Sequence, residues 1–373
     1  MPKLTWTVLN NATDITSRLL SMSITQGREK YLDYYSGGTC VFTINNANDY
    51  ANGITYGNMI TVSTDGINEF ICNFWVQEVV FNDYPGNTGL STATITAVDW
   101  ISRAGRVLAN VILPEEQCDL QFQNFQAASG GPLPADMLYA RTGLVSSVAS
   151  SNVYKGSVNN YLNFLVMTER GFISLRENYL SFIQRNYVAN YPPIFVTIGP
   201  TTSATQIAYQ TFDRIQNGTQ FVNTVTVIPK GLSEQTAVNT NSLNTYGPAS
   251  YSVSTVDYTT TQAVGNANWV SNTFSNPASL RFACSFNDRL QNATALSNWM
   301  LLCWGNENFV NTLYYQVPGG SITSTNVVLE GFTINVTPEQ TTFNLSFSPL
   351  QYYQFFTLDS TTLGILDTSR LGW

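Results

Sequence analysis

Two stretches of the chain alternate strictly between apolar and polar residues, and more than two hundred residues separate them. Alternation of this kind is typical of a β-strand with one buried face. The apolar positions are Cys40, Phe42 and Ile44 in the first stretch and Leu280, Phe282, Cys284 and Phe286 in the second. A Gly37-Gly38 break precedes the first stretch, and two polar residues follow each of them. We therefore predict two strands with the same role.

The segments that follow each of these strands also correspond. A short strand pattern (residues 57–64 and 308–315) precedes a long apolar run (residues 70–82 and 321–335), and an alternating strand comes last (residues 91–98 and 341–348). The same order of elements in both halves indicates an internal duplication. We predict that residues 1–110 and 206–350 superpose, with Cys40, Phe42 and Ile44 at the places of Phe282, Cys284 and Phe286.

Helical signals are confined to a few segments. Asp99 is a favoured N-cap for a short helix, and residues 157–169 carry an apolar stripe at helical spacing that ends near Gly171. The next residues, 172–186, predict a hairpin with its turn near residues 177–178. The sequence therefore predicts a mainly β protein in which a small α+β domain separates two antiparallel β-barrels. The expected divisions are 1–110, 111–205, 206–350 and a C-terminal arm, 351–373.

Composition limits the chemistry that this fold can carry. The 373 residues include no histidine, which removes the commonest general base and metal ligand. Five cysteines form no CxxC pair, and phosphate-loop and calcium-loop motifs are absent. Paired carboxylates remain as a catalytic alternative, for instance Glu69 with Glu78, Asp83, or Glu115 with Glu116, but the sequence does not place any two of them across a cleft. We expect no enzymatic activity, no cofactor and no metal.

The charge balance and hydropathy narrow the class of protein further. The formal net charge is −8, and only 11% of the residues are charged, so no basic surface for nucleic acid is indicated. Asn, Thr and Ser take the place of the missing charges. No run approaches the roughly 18 apolar residues of a membrane helix, and the N-terminal residues lack an apolar signal core. We expect a soluble protein made in a reducing cytoplasm.

Several of these segments together resemble the minor tail proteins that form the tail hub of long-tailed bacteriophages. The resemblance rests on weak patterns spread over nearly the whole chain, with fewer arginines and more Asn and Thr than the family usually has. The residues that carry it are 24–50, 91–108, 161–186, 221–227, 244–248, 327–349 and 366–373.

The resemblance implies a structural hub protein of the virion, made in the host cytoplasm and located at the distal end of the tail. Two tube-like barrels per chain imply a homotrimeric ring of six barrels that joins a sixfold tail tube to a threefold tip. The implied partners are the distal tail or tail tube protein, the tape measure protein and tail-tip or fibre proteins, and genome DNA passes through the channel without specific binding. A tail-tip receptor-binding or lectin-like β protein is the alternative, because the many aromatic residues could also stack on sugars.

Two groups of residues are candidates for a role in such a ring. Glu78 and Glu330 are lone acids in the corresponding long strands, and we predict that both face the channel, where they would repel phosphate. Residues 358–373 contain the same eight-residue pattern twice, and each copy ends in apolar residues. We predict that this C-terminal arm docks on a protein surface. Its apolar residues are Leu363, Ile365, Leu371 and Trp373.

Overall fold

A computed structural model describes residues 4–64, 67–84, 86–128, 138–141, 148–176, 179–190, 192–216, 218–277, 280–302 and 310–353. The strands are β1 (Trp6–Asn10), β2 (Thr13–Asp14), β3 (Leu19–Gly27), β4 (Ser36–Asn45), β5 (Met59–Thr64), β6 (Ile67–Asn82), β7 (Thr92–Val98), β8 (Leu108–Leu113), β9 (Glu116–Gln117), β10 (Leu138–Arg141), β11 (Val148–Ala149), β12 (Asn152–Ser157), β13 (Phe172–Arg176), β14 (Tyr179–Ile183), β15 (Thr197–Gly199), β16 (Gln206–Ala208), β17 (Thr211–Gln216), β18 (Thr224–Pro229), β19 (Gln235–Val238), β20 (Ser250–Thr255), β21 (Leu280–Asn287), β22 (Val310–Gln316), β23 (Ile322–Val336) and β24 (Thr341–Pro349). The helices are α1 (Trp100–Ala104), α2 (Cys118–Ala128), α3 (Val158–Glu169), α4 (Arg185–Asn190), α5 (Thr240–Tyr246), α6 (Thr260–Thr273) and α7 (Ala293–Met300). The predicted mainly β class is confirmed.

One large sheet contains most of the long strands. Its order is β16-β15-β22-β23-β3-β4-β7-β6-β5-β1-β2, and a branch β23-β24-β21-β17 leaves it at β23. The strands of the first half of the chain pair in the order β3-β4-β7-β6-β5, and those of the second half in the order β17-β21-β24-β23-β22. Taken in chain order, the two sets are therefore the same arrangement of five antiparallel strands. We call them the first repeat (β3 to β7) and the second repeat (β17 and β21 to β24).

The register between strands fixes which residues correspond. Cys40 pairs with Ala97 on β7, and Phe282 pairs with Phe347 on β24. In each repeat the register against the long strand then slips by one residue at the same place, between Val76 and Glu78 on β6 and between Leu329 and Gly331 on β23. Cys40, Phe42 and Ile44 thus occupy the places of Phe282, Cys284 and Phe286, as the sequence predicted, and all six side chains are buried.

A smaller α+β region lies between the repeats in sequence. β13 and β14 form the predicted antiparallel pair, and β10 joins β14 in parallel. Helix α3 begins after its N-cap Ser157 and ends at Glu169, close to the predicted end near Gly171, and Arg170 takes the left-handed conformation with φ +59°. Gly171 lies directly against β14: a Cβ at this position would be 2.0 Å from the Ile183 carbonyl oxygen. The domain divisions given above remain predictions.

An insertion separates β17 from β21 in the second repeat. It contains a three-stranded sheet, β19-β18-β20, and helix α6, which packs on that sheet. Thr259 caps α6 by accepting a hydrogen bond from the Gln262 amide, and Ala263, Ala267 and Val270 form its buried stripe. Within the described residues, no helix is both long and apolar enough to cross a membrane.

Candidate assembly junction and polar face

The two repeats meet edge to edge within one chain. Strand β3 of the first repeat pairs antiparallel with the second half of β23, from Met22 opposite Val336 to Gly27 opposite Gly331. The backbones approach closely at the glycine pair. A Cβ on Gly27 would lie 2.3 Å from the Glu330 carbonyl oxygen, and one on Gly331 would lie 2.6 Å from the Arg28 carbonyl oxygen. We call this β3–β23 pairing the internal junction.

A buried ion pair stands at the end of the internal junction. Arg28 Nε donates to Glu330 Oε2 at 2.7 Å, and the two side chains are 2% and 0% exposed. Tyr353 completes the network, since its hydroxyl accepts from Arg28 Nη2 at 3.0 Å and donates to Glu330 Oε1 at 2.7 Å. Both carboxylate oxygens are therefore hydrogen-bonded, which offsets the cost of burying the charge.

Aromatic rings enclose the Arg28 guanidinium and tie it to the middle of the chain. Its Cζ lies 4.8 Å from the ring centroid of Tyr31 and 4.6 Å from that of Tyr35, so each of the two rings makes a cation–π contact with it. The Tyr31 hydroxyl donates to the Arg170 carbonyl oxygen at 2.9 Å, just after α3. Burial raises the pKa of Tyr31 to about 12, so this phenol stays neutral at physiological pH. Residues 28–35 thus join both repeats to the middle region.

The structure corrects the prediction for Glu330. Its side chain is fully buried against Arg28 and Tyr353, so it is not a channel-facing acid. The reason is the β-bulge at Glu330, which turns this residue out of the alternation of β23. The equivalent bulged residue in the first repeat is Gln77, not Glu78. Glu78 itself is exposed.

The face of the sheet opposite the apolar positions is covered by short polar side chains. Cross-strand contacts connect them: the Thr25 and Thr333 hydroxyl oxygens lie 3.1 Å apart, and the Ser23 hydroxyl donates to Asn335 Oδ1 at 2.9 Å. Glu78 belongs to this face, because it pairs with Thr96 on β7. The members of this polar face, by the alternation of their strands, include Ser23, Thr25, Thr39, Thr43, Thr92, Thr94, Thr96, Thr211, Ser285, Thr333, Asn335, Thr342, Asn344 and Ser346.

Charges on the polar face are sparse. Glu78 and Asp213 contribute acids, and Arg281 contributes a cation that pairs with Glu29 at 2.8 Å. Hydroxyls and amides that already bond to each other across strands offer few free donors to a passing ligand. Among the described residues, this face therefore consists of hydrogen-bonded hydroxyls and amides and has no basic cluster of the kind that phosphate binding requires.

Asp99 explains the Gly37-Gly38 pair, which the sequence suggested as a break and which lies within the first residues of β4. It caps α1 by accepting a hydrogen bond from the Ser102 amide at 3.0 Å, as the sequence predicted. Helix α1 presses on the glycine pair: a Cβ on Gly37 would lie 2.3 Å from the Ser102 nitrogen, and one on Gly38 would lie 2.7 Å from Asp99 Oδ2. Burial raises the pKa of Asp99 to about 7, against its usual value near 3.8.

The raised pKa of Asp99 predicts that the protein loses stability as the pH rises from about 4 to about 7. The folded state holds a proton that the unfolded state has released in this window, so the free energy of unfolding falls by up to about 4 kcal/mol across it. Below the window both states are protonated, and above it both are ionised. Urea unfolding at a series of pH values measures the slope. Asp99→Asn keeps the cap and should remove the part of the slope that Asp99 contributes, leaving the part below about pH 6 that the raised pKa of the buried Asp257 adds. Glu339→Gln, an exposed control, should leave the whole slope in place. An unchanged slope in Asp99→Asn would contradict the assignment.

A second buried acid has a structural environment. Asp257 accepts hydrogen bonds from the Thr255 hydroxyl at 2.6 Å and from Asn266 Nδ2 at 2.7 Å, and burial raises its pKa to about 6. These contacts tie Asp257, in the loop between β20 and α6, to the last residue of β20 and to the middle of α6. Among the described residues, no group of three or more His, Cys, Asp or Glu side chains could hold a metal ion.

The predicted docking arm lies outside the described residues. This applies to Leu363, Ile365, Leu371 and Trp373, which all fall in 354–373. The sequence prediction also missed the network at the internal junction, because it did not single out Arg28 or Tyr353 and gave Glu330 no partner.

Comparison with known proteins finds structural relatives but no sequence relatives. No family model matches the chain, and no curated protein matches it. A tail protein from Neisseria meningitidis MC58 aligns over 93% of this chain and 96% of its own, with a TM-score of 0.62 and 10% identity. The 43 kDa tail protein of prophage MuSo2 from Shewanella oneidensis aligns over 94% and 99%, also with a TM-score of 0.62 and 10% identity.

A third solved structure extends the likeness beyond phage. It is an E. coli component of the type VI secretion system, described as structurally similar to the T4 bacteriophage tail proteins gp27 and gp5. It aligns over 89% of this chain and 73% of its own, with a TM-score of 0.52 and 8% identity. At these identities the likeness concerns the fold, and the chain has the fold of these tail proteins.

Proposed function

We propose that this protein is a structural component of a bacteriophage tail, the hub that joins a sixfold tail tube to a threefold tip. Three chains form a closed ring of six repeats around the DNA channel. The ring is located at the distal end of the tail, with the tube protein on one side and the tape measure and tip proteins as further partners. The protein acts by assembly and not by catalysis.

The internal junction is the observation that carries this proposal. One chain already joins two copies of the same five-strand arrangement edge to edge, with the first repeat's β3 against the second repeat's β23. A contact that joins unlike edges of like units is of the head-to-tail type, and repetition of such contacts closes into a ring when the rotation allows. Six repeats from three chains match the sixfold symmetry of a tube, and the fold is shared with tail proteins.

The polar face supplies the channel wall in this proposal. Its hydroxyls and amides bond to each other, and it has no cluster of Lys or Arg within the described residues, so DNA passes without being retained. Glu78 faces the channel in each chain and adds a negative charge that repels phosphate. The Arg28–Glu330 pair lies behind this wall and holds the repeats together.

The proposal predicts a trimer in solution or in the presence of its neighbours in the tail. Sedimentation equilibrium of the purified chain should give about 124 kDa, three times the 41.2 kDa of one chain. Negative-stain images should show threefold rings with a central opening. A protein that stays monomeric at high concentration and binds glycans would contradict the hub and favour the receptor-binding alternative.

A further inference from the structure

Among the described residues, the counterparts of the two edges that form the internal junction have no strand paired with them. β17 corresponds to β3, and it pairs with β21 on one side only among the described strands. The second half of β6 corresponds to the second half of β23. β7 covers one side of it, whereas β5 covers the other side only as far as Trp75. No described strand therefore covers this flank of residues 78–82.

The long strands show why the flank is open. On β23, β22 covers residues 322–328 and β3 covers residues 331–336, both on the side opposite β24. On β6, β5 takes the place of β22, but the described residues provide no strand in the place of β3. The first repeat has therefore kept a docking position for one more strand.

Side-chain exposure marks both open edges as places where a strand is missing. Phe81 corresponds to Ile334, and it is 43% exposed, whereas Ile334 is 0% exposed beneath β3. Arg214 on β17 is exposed, whereas its counterpart Ile24 on β3 is 0% exposed. Val80 is 45% exposed next to Phe81. Exposed apolar residues at a strand edge that no described strand covers favour the addition of another strand.

We propose that β17 of one chain pairs antiparallel with residues 79–83, the end of β6 and the residue after it, in a second copy of the chain, in the register of the internal junction. This inference rests on the proposed ring and specifies its contact between chains. Transfer of the internal register gives Gln216 opposite Val79, Ile215 opposite Val80, Arg214 opposite Phe81, Asp213 opposite Asn82 and Phe212 opposite Asp83.

The chemistry of the three central transferred pairs is compatible. Ile215 and Val80 are β-branched and lie on the same face, which favours cross-strand packing. Arg214 faces the Phe81 ring, where a guanidinium makes a cation–π contact. In the remaining central pair, the Asn82 amide donates to the Asp213 carboxylate, just as Ser23 and Asn335 bond to each other in the internal junction.

Cysteine cross-linking tests the register. The pair Thr25 and Thr333, whose hydroxyl oxygens are 3.1 Å apart, corresponds to Ile215 and Val80. The double variant Val80→Cys/Ile215→Cys, oxidised with copper phenanthroline, should give a covalent trimer on a non-reducing gel. An equimolar mixture of the two single variants should stop at covalent dimers, because each chain then provides one new thiol.

Three controls accompany the double variant. Thr25→Cys/Thr333→Cys should cross-link within one chain and leave its mass unchanged. Val80→Cys/Arg214→Cys should give roughly tenfold less covalent trimer, because its side chains point to opposite faces of the sheet. The unaltered chain, in which Cys40, Cys118 and Cys284 are buried, gives the background.

The outcomes separate this inference from the proposed function. A chain that sediments as a trimer but gives no covalent trimer, or that cross-links equally well in the slipped pair, overturns the register and leaves the hub in place. A chain that remains monomeric, alone and with tail partners, overturns both.

Discussion

Arg28→Met should lower the free energy of unfolding by about 3–5 kcal/mol, because it leaves the Glu330 carboxylate buried without its cation. Glu330 is fully buried, and its only described ion-pair partner is Arg28. Methionine keeps most of the volume of the arginine side chain, so the loss reports on charge more than on packing. Urea unfolding followed by tryptophan fluorescence and circular dichroism measures the change.

A second ion pair in the same chain provides the matched control. Arg281 and Glu29 are 2.8 Å apart, but their side chains are 15% and 60% exposed. Arg281→Met should therefore cost no more than about 1 kcal/mol. The double variant Arg28→Met/Glu330→Met should recover much of the loss, because both buried charges are removed. Equal losses in Arg28→Met and Arg281→Met would show that the buried network does not hold the repeats together.

Gly27→Ala should destabilise the protein by about 3–5 kcal/mol, since it combines backbone strain with a steric clash. Gly27 has φ +92°, and its Cβ would lie 2.3 Å from the Glu330 carbonyl oxygen. That atom is backbone of the paired strand, so it cannot turn aside as a flexible side chain could. The change would push β3 away from β23, and thermal unfolding would detect it.

Three other glycines separate the two contributions to this loss. Gly319 has φ +77° and open space around it, so Gly319→Ala measures strain alone, about 1–2 kcal/mol. Gly331→Ala meets the Arg28 carbonyl oxygen at 2.6 Å and measures the clash. Gly53→Ala has neither and should be nearly neutral. If Gly27→Ala cost no more than Gly319→Ala, the close contact at the internal junction would not be a constraint.

The internal duplication could be predicted from sequence because it rests on a local pattern. A strand with one buried face repeats its apolar residues every second position, and that period is visible at Cys40, Phe42 and Ile44 without any knowledge of partners. The Asp99 cap was equally local, since an N-cap is defined by residues three apart. Both features survive because the tertiary fold agrees with what the segments prefer on their own.

The prediction for Glu330 failed because it, too, used only the local sequence pattern. Alternation assumes that every residue keeps its face, and a β-bulge breaks that assumption by one position. Leu329 and Gly331 pair with neighbouring residues of β24, so Glu330 between them is turned toward Arg28. Nothing in the local sequence distinguishes this acid from Glu78, which stays exposed.

The partner of Glu330 was still harder to foresee. Arg28 is 302 positions away along the chain, and no period connects residues at that distance. One signal was available, however: in a chain with only 11% charged residues, a run of Arg-Glu-Lys next to three tyrosines is unusual.

Helix α6 also depends on tertiary packing, because its Thr, Asn and Val residues have little helical preference.

The internal junction also fixes the angle between the two repeats of one chain. The glycine pair and the buried Arg28–Glu330 contact hold the two repeats in one orientation. In the proposed ring of three chains, half of the contacts between repeats would therefore have a preset curvature. Subunits that join head to tail close into a ring only at a suitable rotation, and otherwise they continue as an open spiral. If the internal junction were weakened, the strand edges proposed to join neighbouring chains would remain, but the angle between the two repeats would no longer be fixed. The expected defect of such a chain is the formation of filaments of indefinite length.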